Sequence, residues 1–132
     1  MNRSQGRLSR SEDFLRAYRA GRSVANRYLV LYYFERSGTG AVVAAEGPRV
    51  GFSVSKRLGT SVDRNRVKRA LREAFRANRQ SLGGDLDLVF VARVPAVELL
   101  DKDGQRAVEG KMMEVLQKAS LLKSEDERRP RS

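Results

Sequence analysis

Between Arg64 and Arg79 the apolar residues Val67, Ala70, Leu71, Ala74 and Phe75 recur at three- and four-residue steps, the spacing of one buried helix face. Lys68, Arg69, Arg72, Arg76 and Arg79 are read onto the opposite side, with Glu73 at its edge. Thr60 or Ser61 with Asp63 supplies the start signal, so the pattern predicts a capped helix running to about Arg79. The same period recurs near the C-terminus, where Val108, Met112, Val115, Leu116 and Ala119 predict a last helix. A shorter one is predicted from Ser11, an N-cap followed by Glu12 and Asp13, through Phe14, Leu15, Tyr18 and Ala20 to a stop at Gly21.

Elsewhere the period shortens to two. Arg49 to Ser55 alternates, with Val50, Phe52 and Val54 on a core face and Gly51, Ser53 and Ser55 on a small, polar one. Tyr28 to Phe34 is aromatic, β-branched and too short for a helix, which predicts a strand apolar on both faces. Its parity puts Tyr32 with Tyr28, Val30 and Phe34, and Tyr33 with Leu29 and Leu31. Leu86 to Ala92 is a further strand, halted before Pro95, and Val24 to Ala25 a short edge strand. Glu35 to Pro48, with three glycines and a proline, reads as a connection, Lys56 to Thr60 as a basic turn, and Asp101 to Gly104 as a turn without calcium-loop spacing. Helix, strands, basic helix, strand, helix make an α+β, single-domain α/β sandwich with helices packed on one sheet. The expected organisation is a basic flexible arm at 1–10, a domain at 11–122 and a disordered charged tail at 123–132.

Charge changes the picture of the basic helix. The 132 residues carry 27 Lys and Arg against 16 Asp and Glu, a formal net charge of +11. A solvated helix face mixes signs at four-residue steps, whereas this one is almost wholly positive, as a polyanion-binding face would be. Phosphate contact is therefore assigned to Arg64, Arg66, Lys68, Arg69 and Arg72, with Asn65 either reading a base or backbone group or bonding its own helix terminus. No apolar run approaches the length of a spanning helix, and Met1 to Arg10 is not followed by an apolar leader segment. The expectation is a soluble, cytoplasmic chain.

Cysteine and histidine are both absent. That removes disulfides, thiolate and imidazole metal ligands, and histidine acid-base catalysis. Asp85 and Asp87, at the start of the last strand, are the remaining candidates for a metal-dependent nuclease, although paired acids there are commoner as strand-edge or turn residues. The aromatics Phe14, Tyr18, Tyr32 and Tyr33 suit either a core or a base-stacking platform; the Tyr32 face is assigned to stacking.

Lys56-Arg57-Leu58-Gly59, Val62, Arg64-Asn65-Arg66-Val67-Lys68-Arg69 and Arg72-Glu73 together resemble the signature of the bacterial ribonuclease P protein subunit. Asp13-Phe14, Tyr18, Gly21, Ala25-Asn26-Arg27, Val50 to Ser55 and Ala92-Arg93 with Pro95 extend the likeness over roughly residues 7 to 122. The resemblance implies a four-stranded sheet with three helices, similar to the second domain of ribosomal protein S5, with a left-handed βαβ crossover. It implies a non-catalytic partner of a catalytic RNA, acting with Mg2+ held mainly by that RNA to remove the 5′ leader of precursor tRNA. The basic turn and helix would face the catalytic RNA, in a 1:1 complex. Phe14, Tyr18 and Tyr32, with Ser53 and Ser55 of the polar strand face, would line a cleft for the leader. The alternative is a ribosomal or ribosome-associated RNA-binding protein of the same fold.

Overall fold

The computed structural model describes residues 21–35, 47–82 and 85–122. Strands β1 (Arg22–Ala25), β2 (Leu29–Glu35), β3 (Arg49–Ser53) and β4 (Leu86–Ala92) form one sheet in the order β1-β2-β4-β3. The β1/β2 and β2/β4 pairs are antiparallel, whereas β3 and β4 are parallel neighbours. A parallel pair needs a crossover, and the basic helix α1 (Ser61–Asn78) provides it. Helix α2 (Pro95–Lys118) follows β4. Among the described residues there are thus two helices; the one expected over 11–20, with Phe14 and Tyr18, lies outside them, as do the 1–10 arm and the 123–132 tail.

One sheet face carries the main core. Leu29 and Leu31, Val50, and Leu88, Phe90 and Ala92 meet Val67, Leu71, Ala74 and Phe75 of α1 and Leu99, Val108, Met112, Val115 and Leu116 of α2. Phe52, Phe75 and Phe90 link β3, α1 and β4, with ring centroids 6.1–6.5 Å apart. Strand β4 lies between two partners and is buried at Leu88, Val89 and Phe90 alike, hence its unbroken apolar run.

Four local readings change. Tyr28 precedes β2 instead of opening it, because Asn26 Oδ1 accepts hydrogen bonds from the Tyr28 and Leu29 amides at 2.9 Å. The two-residue alternation begins only at Leu29, and Tyr28 packs with the helix-side core, not beside Tyr32. Asn26 Nδ2 also donates to the Lys111 carbonyl at 3.0 Å, tying the β1–β2 turn to α2. Strand β3 stops at Ser53, and the basic turn is a single 3-10 turn at Lys56–Leu58 whose Leu58 is buried. Pro95 both ends the strand region and begins α2, where its missing amide costs nothing. Asp101 to Gly104 lies within α2, which breaks at Gly104 (φ 80°, ψ −170°) and then resumes.

Gly59 shows how tightly the start of α1 is built. Its φ is +136°, and a Cβ there would lie 2.5 Å from Asp63 Oδ2, the carboxylate that accepts the Thr60 amide at 3.1 Å. Gly59→Ala is expected to cost about 1–3 kcal/mol, the usual range for backbone strain of this kind. A thermal melt unchanged from wild type would contradict this account of the cap.

Candidate nucleic-acid interface

Helix α1 is held by a capping box: the Asp63 amide donates to Thr60 Oγ1 at 3.2 Å and the Asp63 carboxylate accepts from the Thr60 amide. All five apolar residues assigned to its inner face are buried, joined by Asn78, whose Nδ2 donates to the Ala74 carbonyl. The polar residues do not form one uniform face. Asn65, Arg69, Arg72 and Arg76 occupy the outward stripe and are exposed, at four-, three- and four-residue steps. At 1.5 Å per residue that stripe is about 16 Å long. Arg76 is partly answered by Glu73 at 3.3 Å, whereas neither Arg69 nor Arg72 has an acidic partner among the described residues.

The flanks differ. Arg64, Lys68 and Arg79 lie on the Phe75 side and are half-buried; the Arg79 guanidinium sits 5.7 Å from the Phe75 ring centre. Arg64 donates to Ser61 Oγ at 3.3 Å, while its Nε is buried without an acceptor among the described residues. Arg66 turns to the other flank, where its Nη2 donates to Asp101 of α2 and its Nη1 lies 3.7 Å from Asp63. The hydrogen bond and charge of Asp101 hold the Arg66 guanidinium still further above neutral pH in its charged form. Arg66 is therefore engaged within the chain, in contrast to Arg69 and Arg72. No local pattern could have exposed that pairing, because Asp101 is 35 residues away.

The second surface is the other face of the sheet. Register places Ser23, Tyr32, Val89 and Gly51 in one row across β1, β2, β4 and β3, and Ala25, Val30, Val91 and Ser53 in the next. Tyr32 and Ser53 therefore share a face, as the alternation required, separated by two strand spacings or about 10 Å laterally. Tyr32, Phe34 and Val91 pack around fully buried Val89, apart from the helix-side core. Ser55 lies beyond β3 at the entrance to the 3-10 turn, where its carbonyl accepts the Leu58 amide, so strand parity does not place it beside Ser53. Ser53 is three residues from Lys56, at most about 10 Å of chain. Exposed Lys56 and Arg57 consequently join the Tyr32 face to α1.

At the end of this face Arg49 and Asp87 pair across β3 and β4. Two bonds, 2.8 and 2.9 Å, bind the guanidinium to both carboxylate oxygens, and Asp87 is fully buried. Asp85 accepts the Gly47 amide at 3.2 Å. These acids are structural partners, and no group of three His, Cys, Asp or Glu residues suited to a metal occurs among the described residues. Arg49 was not among the expected site residues; its sequence signal is a charge at the head of an alternating strand.

The family model described as Ribonuclease P matches residues 1–119. The chain belongs to the ribonuclease P protein family. A ribonuclease P protein component from Halalkalibacterium halodurans is 37% identical over 120 residues, covering 91% of this chain and 92% of that relative. Among solved structures, the ribonuclease P protein of Staphylococcus aureus matches at 32% identity with a TM-score of 0.73, covering 89% of this chain and 97% of that one. The Thermotoga maritima ribonuclease P protein matches at 27% identity and a TM-score of 0.72, covering 85% and 96%. The mixed α+β architecture with its four-stranded sheet is thus a ribonuclease P protein fold, and the ribosomal alternative gains no support from these relatives.

Proposed function

We propose that this ribonuclease P protein component binds the RNA subunit through Lys56, Arg57 and α1, and receives the 5′ leader of precursor tRNA on the Tyr32 face. The observation that carries this reading is the exposed Arg69 and Arg72 pair, without an acidic partner among the described residues, on a helix whose inner side is buried against the core. Asn65, Arg64 and Lys68 extend the contact along the same helix, and Arg66 joins it on the flank. Phe14 and Tyr18 complete the leader platform with Tyr32, Ser53 and Ser55. The helix over 11–20, the 1–10 arm, the 123–132 tail, the left-handed crossover and the S5-like topology belong to the same reading.

The complex would act as an endoribonuclease in tRNA 5′ maturation, the RNA doing the chemistry with Mg2+ that it holds itself. In that reading Asp87 pairs with Arg49 and takes no part in the chemistry. The protein would contribute by screening phosphate repulsion between two RNAs, in a 1:1 cytoplasmic complex. No described helix is long and apolar enough to cross a membrane.

Reconstitution tests this. The full chain, added at low magnesium to ribonuclease P RNA and precursor tRNA, is expected to stimulate cleavage that neither component gives alone; cleavage by the protein without RNA would overturn the assignment. Tyr32→Ala should weaken precursor tRNA binding by the assembled complex about ten- to a hundredfold, the equivalent of one lost base-aromatic stack, and leave mature tRNA binding nearly unchanged. Equal losses for both tRNAs, with a lowered melting temperature, would return Tyr32 to a packing role.

A further inference from the structure

Among the described residues, Arg66 is the one basic residue of α1 that is gripped from a second helix. Within the first segment of α2, Glu98 pairs with Lys102 at 2.7 Å, which leaves Asp101 to meet Arg66. One turn further along, Gln105 Nε2 donates to the Ala70 carbonyl at 2.8 Å. Asp101 and Gln105 stand on either side of the Gly104 break and reach two α1 residues that are themselves one turn apart. The side chains of Arg66 and Asp101 are 43% and 50% exposed, so the pair lies in water, where an ion pair adds little to stability. The helices are joined without it, through Val67 and Leu71 against Leu99 and Val108 and through Gln105.

A guanidinium forms the same kind of charge-assisted bond with a carboxylate as with a phosphate. We propose that Asp101 is an intramolecular competitor for RNA phosphate at Arg66, a carboxylate that occupies the arginine until a phosphate oxygen displaces it. This rests on the reading of α1 as an RNA contact. The competitor lowers the affinity of α1 for any polyanion while keeping Arg66 in place for an RNA whose phosphate is aligned with it. Asp63, the other acid near Arg66, is committed to the cap and 3.7 Å away, so Asp101 is the group that must yield.

The test measures binding of the full chain to transcribed ribonuclease P RNA and to an unrelated duplex RNA across a salt series, for wild type, Asp101→Asn, Arg66→Ala and the double variant. Removing the internal carboxylate should tighten binding to both RNAs roughly two- to fivefold, as expected for an exposed ion pair. The log-log salt slope should stay close to that of wild type, because Arg66 meets a phosphate, and the RNA releases that counterion, in both proteins. The gain should be proportionally larger for the unrelated duplex and should vanish in the Arg66→Ala background. Weaker or unchanged binding by Asp101→Asn, with Arg66→Ala still impaired, would overturn the competitor while leaving the RNA face of α1 in place. If Arg66→Ala and Asp101→Asn are both neutral, Arg66 is no RNA contact and the inference falls with that part of the reading. Melting curves on all four proteins separate these outcomes from loss of fold.

Discussion

Reversing the charge of Arg69 and Arg72 together, each to glutamate, is expected to weaken binding to ribonuclease P RNA about 30- to 100-fold at physiological salt and to flatten the log-log salt slope by about 2. Both residues lie on the outward stripe of α1, exposed and without an acidic partner among the described residues, so the substitutions break no internal pair. Each lost phosphate contact removes roughly 0.9 from the slope and about a fivefold factor near 0.15 M salt, and the new carboxylates add repulsion. Surface substitutions of this kind change stability by within about 0.5 kcal/mol, so the melting temperature should stay near that of wild type. Because Arg66 is paired with Asp101, single changes at Arg69 or Arg72 should cost more affinity than Arg66→Ala. Fluorescence anisotropy over a salt series decides the matter; an unchanged slope in the double variant would remove α1 from the interface.

That contrast between neighbouring arginines marks where local pattern stops being informative. The inner face of α1 was legible because helix periodicity and the Thr60–Asp63 cap act within one or two turns. For the same reason β4 could be read as a strand, bounded by acids at one end and Pro95 beyond the other. The position of Arg66 against Asp101 is set by which element flanks α1, a matter of chain topology. The order β1-β2-β4-β3 depends on pairings between distant residues, which carry no periodic trace. Tyr28 illustrates a finer limit: alternation assigns faces only inside a strand, and the Asn26 side chain delays the start of β2 by one residue. Ser55 leaves the pattern likewise, once the chain turns at Lys56.

The largest loss of stability should come from Arg49, which is not among the residues assigned to RNA contact. Asp87 is fully buried and both its oxygens accept hydrogen bonds from the Arg49 guanidinium, so Arg49→Met leaves a buried carboxylate without its two-point partner. Breaking a buried pair from one side costs about 3–5 kcal/mol. For a domain of this size each kcal/mol lowers the melting temperature by several degrees, so the variant should melt about 15 °C below wild type or lower. Arg49→Lys retains a charge but not the planar fork, and should fall between the two. The pair also shares a row with Phe34, the row next to that of Tyr32 on the same sheet face. Two substitutions on one face are therefore expected to fail differently. Tyr32→Ala should lose affinity for leader-bearing tRNA while the fold and RNA-subunit binding persist, whereas Arg49→Met should lower stability and depress every activity in step. If Arg49→Met melts within about 1 kcal/mol of wild type, a smaller loss than unpairing a buried charge allows, the ion pair is not what holds this edge of the sheet. A selective leader defect in such a stable variant would instead make Arg49 a direct contact of the substrate.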